Sequence, residues 1–208
     1  MKYIDLSQPI YNGMPVYPGD NPAILRKERS MDKDGYCMWE LCSGMHAGTH
    51  VDCPMHLIDN TAFIGEYPLE PFMGRASLID AYGQDIIELK SEYYESVRKG
   101  EILLIYTGFD KYYGTKDYYE KHPVITENMA RFLADRGAKL VGIDMPSPDR
   151  MPYKAHKMLL EHGIFILENL TGLDKLLHEE YIELFAQPLK ISAEASLVRA
   201  VARVGRDG

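Results

Sequence analysis

Four short apolar runs constrain this chain most: "ASLIDA" (76–81), "EILLIYTG" (101–108), "AKLVGID" (138–144) and "GIFILEN" (163–169). Each is bounded by glycine or charged residues and lacks the polar alternation of a half-exposed strand, so each reads as a strand buried on both faces. Helix-period segments lie between them. "SEYYESVRKG" offers Ser91 as an N-cap and stops at Gly100. "TENMARFLADRG" runs from Thr126 to Gly137 with Met129, Phe132 and Leu133 at helical spacing, and a third helix runs from Tyr153 to His162, stopped by Gly163. Strands and helices that alternate in this way imply an α/β architecture with at least part of the sheet parallel. A chain of 208 residues can bury its core as one unit, so a single domain over 1–208 is expected.

The first third has a different texture. "PIYNGMPVYPGDNP" (9–22) holds four prolines and two glycines, too many breakers for a helix, and reads as a loop. "GYCMWELCSGMHAGTHVD" (35–52) is glycine-punctuated and carries aromatic and β-branched residues, which predicts one bent strand. The tail from Gln187 to Val204 has few turn signals and is expected to add one or two strands.

Composition excludes some partners. The net charge of −8 repels a phosphate backbone or an anionic lipid surface, so neither nucleic acid nor a membrane is an expected partner. The N-terminus lacks an apolar run of signal-peptide length, and no 18-residue apolar stretch occurs, which together predict a cytoplasmic protein. Cys37, Cys42 and Cys53 are odd in number and form no CxxC pair, so all three are expected as buried free thiols.

"HAGTHVDCPMH" (46–56) concentrates the chemistry. His46, His50, Asp52 and His56 share parity and would face one way on a straight strand. At ~3.3 Å per residue, however, His46 and His50 would lie roughly 13 Å apart, too far to share an ion through bonds of about 2 Å. The chain must bend, and Gly48 between the small residues Ala47 and Thr49 permits it. His50 and Asp52 can meet on one strand face, Pro54 constrains the exit and sends His56 to the rim, and Cys53 faces the other way. Imidazole and carboxylate without thiolate point to an open, catalytic metal site rather than a closed structural one.

The string fits HxGTHxDxPxH, and with it the chain resembles the cyclase-like metal-dependent hydrolases, the bacterial kynurenine formamidases in particular. "MPVYPGD", "GIDMPSPD" and "AHKMLLEHGIFILENL" are similar to that family's substrate loop, central strand-end motif and C-terminal metal segment, in the same order. The resemblance implies a swivelling β/β/α-type domain with a mixed sheet. It also implies two Zn²⁺ ions per subunit, with Mn²⁺ as the alternative: His46 and His50 on the first, His156 on the second, Asp52 and Glu168 bridging both. His56 takes the acid/base position. Tyr17 falls at the substrate-binding position where the formamidases carry tryptophan. A homo-oligomer, dimer or tetramer, is implied, with the substrate loop near a subunit interface.

Read without the resemblance, His156 is a helix-surface histidine, and His122, His162 and His178 are surface residues as well. Asp144, Ser147 and Asp149 shape a loop beside the metals. Tyr112, Tyr113, Tyr118 and Tyr119 either line a cleft or pack. The expected function is hydrolysis of N-formylkynurenine, or a similar arylformamide, to kynurenine and formate by a metal-activated hydroxide. His56 would protonate the departing amine, because an anilide leaves poorly. Two alternatives stand beside it. One is hydrolysis of a cyclic amide, imide or lactone, as in the related isatin hydrolases, with Mn²⁺ then expected. The other is a non-catalytic metal-containing protein that binds a small acid, for which His56 would have no use.

Overall fold

The four apolar runs become the centre of one sheet. A computed structural model describes residues 1–59 and 61–205; residues 60 and 206–208 of the expected domain lie outside the described residues. The strands are β1 (Lys2–Asp5), β2 (Ile24–Arg29), β3 (Met38–Cys42), β4 (His50–Asp52), β5 (Met73–Asp80), β6 (Ile86–Ile87), β7 (Ile102–Tyr106), β8 (Val124–Ile125), β9 (Leu140–Ile143), β10 (Phe165–Glu168), β11 (Ile182–Phe185), β12 (Ala195–Leu197) and β13 (Val201–Val204). Nine of them form a sheet in the order β1-β13-β11-β5-β7-β9-β10-β4-β12. Its middle, β5-β7-β9-β10, is parallel, and antiparallel pairings extend it on both sides. This is the α/β domain with a mixed sheet that the sequence predicts.

Burial on both faces is visible within single strands. Ile102 and Leu104 of β7 join Val51, Leu167 and Leu184 in one apolar cluster. Leu103 and Ile105 point the other way, toward helices α4 and α5. The helices are α1 (Met31–Asp34), α2 (Tyr93–Ser96), α3 (Lys116–Glu120), α4 (Glu127–Asp135) and α5 (Lys154–Glu161). In α4 the Thr126 hydroxyl accepts the Met129 N–H at 3.3 Å, and Met129, Phe132 and Leu133 are buried. That side-chain acceptor satisfies one of the first-turn amides, and the apolar stripe supplies the packing that a helix this short needs. Val201–Val204 and Ala195–Leu197 are the strands expected from the tail.

Three expectations are corrected. The helix from Ser91 to Gly100 contracts to the single turn α2, with Glu92 rather than Ser91 at its N-cap; only Tyr93 and Val97 anchor it in the core, too little burial to offset nucleation of a longer helix. The bent strand at 35–52 is two strands in two sheets. β3 pairs with β2 in a separate two-stranded sheet, whereas β4 enters the main sheet, because Gly48 at φ +64° turns the chain out of extended geometry. Finally, all three cysteines are free but only Cys53 is buried; Cys37 and Cys42 are exposed, Cys42 on β3, all of whose residues are exposed, and Cys37 just before it. Among the described residues no helix is long and apolar enough to cross a membrane.

Candidate metal centre

Register places the first pair. β4 runs antiparallel to β10 with His50 opposite Glu168, and His50 Nε2 lies 3.3 Å from Glu168 Oε2 and 3.4 Å from Asp52 Oδ1. The turn at Gly48 brings His46 back over the strand, its Nδ1 3.0 Å from Asp52 Oδ1. That turn is itself held: Asn169, at φ 57° just after β10, donates its amide to the Gly48 carbonyl at 2.9 Å and accepts the Tyr118 hydroxyl at 2.9 Å. His156 arrives from α5, whose first turn is fixed by Asp149 accepting the Ala155 N–H at 2.7 Å. Its Nε2 is 3.6 Å from Asp52 Oδ2, and its Nδ1 is 3.4 Å from Ser147 Oγ.

The structure thus brings His46, His50, Asp52, His156 and Glu168 to one point. Both His156 and Glu168 are buried, so His156 is no helix-surface residue: α5 turns that face toward the sheet. His56 comes closer than a rim position. A single 3₁₀ turn, Pro54–His56, folds the chain back, and the His56 ring centroid is 4.4 Å from that of His46 and 5.5 Å from that of His156. Two sets of candidate ligand atoms lie within 4.8 Å of one another, His46/Asp52/His56 and His50/Asp52/Glu168.

The donor set fits a divalent cation. His50 Nε2, both Asp52 carboxylate oxygens, His156 Nε2 and Glu168 Oε1 are buried and make no hydrogen bond, an arrangement that buried polar atoms avoid unless an ion completes them. Charge gives the same picture. Burial acts to raise the Asp52 carboxyl, but the neighbouring His50 and His46 override it and hold Asp52 well below the usual range. Burial, reinforced by the Asp52 charge, drives Glu168 well above it. Two facing carboxylates of which only one ionises freely are the arrangement a cation neutralises. Burial also pushes the His56 imidazole down to about 4, so it stands as a neutral base.

Above this floor opens a cleft of about 250 Å³ walled by Tyr17, Tyr113, Tyr119 and Tyr153 together with Pro15 and Leu57. The Tyr17 ring meets Tyr119 edge-on at 5.7 Å. The tyrosine run divides between the two readings: Tyr113 and Tyr119 line the cleft, Tyr118 is buried, and Tyr112 is exposed against Phe109. Asp144 accepts from Thr107 N and Oγ1 and from Gly108 N, so it ties the end of β9 to the turn that follows β7. Cys53 packs in the apolar cluster away from the site, its thiol pushed up to about 11 by burial.

His162 and His178 are exposed as expected, but His122 is buried. Its Nδ1 bonds the Pro123 carbonyl at 2.9 Å and the Arg150 guanidinium donates to the His122 carbonyl; the adjacent proline begins a packed segment rather than an open turn. Two residues escaped the sequence reading altogether, Asn169 and Glu194. Their partners, Gly48 and His46, lie 121 and 148 positions away, and no local pattern marks them.

The Cyclase family model, described as putative cyclase, matches residues 4–150, and the chain belongs to that family. Among curated relatives, a kynurenine formamidase of Bacillus cereus is 34% identical over 210 residues, covering 97% of each chain. One of Bacillus cytotoxicus is 31% identical, again over 97% of each. Of solved structures, one described as a potential metal-dependent hydrolase with cyclase activity is 26% identical with a TM-score of 0.81, covering 100% of this chain and 99% of that one. An isatin hydrolase bound to the product analogue thioisatinate shares the fold at TM-score 0.86 and 22% identity, over 99% and 93%.

Proposed function

We propose that this hydrolase cleaves the carbon–nitrogen bond of an aryl formamide, N-formylkynurenine or a close analogue, releasing formate and the arylamine. The observation that carries the proposal is the convergence of unpartnered buried ligand atoms at the floor of a tyrosine-walled cleft; relatives that are kynurenine formamidases support the substrate. His46, His50 and His156, with Asp52 and Glu168 between them, would hold two Zn²⁺ ions. When bound, such ions supply Lewis-acid chemistry, polarising a carbonyl and acidifying water.

The chain's own residues do the rest. His56, neutral because burial holds it down to about 4, takes a proton from the attacking water and delivers it to the departing nitrogen, which cannot leave as an anilide. Tyr17 and Tyr119 present aromatic surface to the aryl ring. Exposed Ile24, Met38, Trp39 and Leu41 on the β2–β3 sheet support a homo-oligomer, a dimer by default.

A second reading, hydrolysis of a cyclic amide such as isatin with Mn²⁺, is favoured by one residue: Tyr17 offers a smaller face than the tryptophan of the formamidases. Parallel assays on N-formylkynurenine and isatin separate the two. Formate release with no opening of isatin supports the first; the reverse replaces it with the second.

A further inference from the structure

The imidazoles of His46, His50 and His156 each turn one nitrogen toward the carboxylates and the other toward an outer partner. His50 Nδ1 bonds the Gly48 carbonyl at 2.8 Å, and His156 Nδ1 lies beside Ser147 Oγ. For His46 the outer partner is a charge. Its Nδ1 faces Asp52, and its Nε2 lies 3.2 Å from Glu194 Oε1. Glu194 immediately precedes β12 and is locked in place by the main chain: its carbonyl accepts the Cys53 N–H at 3.0 Å, and the next residue, Ala195, is registered against Asp52. The carboxylate therefore reaches His46 from the sheet edge, on the side away from the other candidate ligands.

His46 is the member of the set that most needs such a partner. It sits in a turn rather than on a strand or helix, and its side chain keeps 23% exposure against 1% for His50 and 4% for His156. Packing alone does not fix its ring. We infer that Glu194 is the positioning residue of the metal centre: it holds the proton of His46 on Nε2, sets the ring angle, and leaves the Nδ1 lone pair aimed into the cluster. The inference rests on the metal-site reading above and adds to it a residue outside the ligand set. Carboxylates in this position typically control metal affinity by 10–100-fold.

The test is Zn²⁺ affinity, measured by competition with a chromophoric chelator, for the wild-type protein, Glu194→Ala, Glu194→Gln and His46→Ala. The visible spectrum of Co²⁺-loaded protein and the unfolding midpoint of metal-free protein are recorded in parallel. Glu194→Ala is expected to weaken Zn²⁺ binding by about 10–100-fold and to alter the Co²⁺ spectrum, with the metal-free midpoint unchanged because the side chain is 39% exposed. Glu194→Gln, whose amide oxygen still accepts from Nε2–H, should lose less. A Glu194→Ala affinity within twofold of wild type, where His46→Ala weakens binding, overturns the role of Glu194 and leaves the metal site standing. An affinity loss accompanied by a lowered metal-free midpoint and an unchanged Co²⁺ spectrum makes Glu194 merely structural. A wild-type protein that takes up no Zn²⁺ overturns the metal-site reading, and the inference with it.

Discussion

His46 Nδ1 stands 3.0 Å from Asp52 Oδ1, although an extended chain at ~3.3 Å per residue would put their backbones roughly 20 Å apart. Gly48, at φ +64°, makes the difference. A Cβ there would lie 2.7 Å from Met14 Cε, and an L-residue in the left-handed region costs roughly 1–2 kcal/mol. Gly48→Ala should therefore lower stability by about that amount, read as a shift in urea midpoint, and should weaken metal binding because His46 no longer returns over the strand. An unchanged midpoint would mean the turn tolerates a side chain and is not what sets the pair.

His56→Ala tests the division of labour between proton transfer and ligation. The expected outcome is a fall in kcat of about 10²–10⁴-fold with full metal content by elemental analysis. Loss of metal in step with activity would make His56 a ligand, a role its proximity to His46 and Asp52 permits.

Glu168→Gln should have opposite effects on the two forms of the protein. Without metal, Glu168 is a buried acid beside Asp52 with an oxygen that nothing satisfies. Glutamine is neutral in the folded and the unfolded chain alike and so avoids the cost of neutralising this buried acid on folding, which should raise the metal-free unfolding midpoint at neutral pH, while the stabilisation that added Zn²⁺ gives the wild type disappears. A variant that is both destabilised and still protected by Zn²⁺ would contradict this account of the pair.

His122 gives stability a pH dependence apart from the metal centre. Burial pushes its imidazole from the ordinary 6.5 down to about 4. Between those values the unfolded chain binds a proton that the folded chain does not, so stability rises with pH across the window. The contribution is complete above pH 6.5 and is lost as pH falls toward 4, by roughly 3 kcal/mol at most. Comparing urea midpoints at pH 5 and pH 7, the drop should be smaller in His122→Gln than in the wild type. Parallel slopes would show that His122 titrates normally.

What the sequence reveals depends on how local the determinant is. The apolar runs around Ile105, Val141 and Ile166 announce buried parallel strands because burial on both faces removes polar alternation. The cluster at His46, His50 and Asp52 is legible because its ligands and the bend at Gly48 share one short segment. His156 and Glu168 are visible only through family resemblance, since nothing near them shows that α5 and β10 turn them toward β4. Glu194 and Asn169 are hidden for the same reason, their partners being more than a hundred positions away. His122 misleads because a neighbouring proline signals a turn in sequence, whereas Arg150 and the packed segment at Val124–Ile125 enclose it in space.

The most direct test of the whole account is formate release from N-formylkynurenine by metal-stripped protein, before and after reloading with Zn²⁺ or with Mn²⁺. No release from the stripped protein and rapid release on reloading is the predicted result, and it would show that Tyr17 serves where the formamidases carry tryptophan. Release at the same rate with and without metal would contradict the role given to the His/Asp/Glu centre, and no release with either ion despite stoichiometric binding would contradict the proposed substrate.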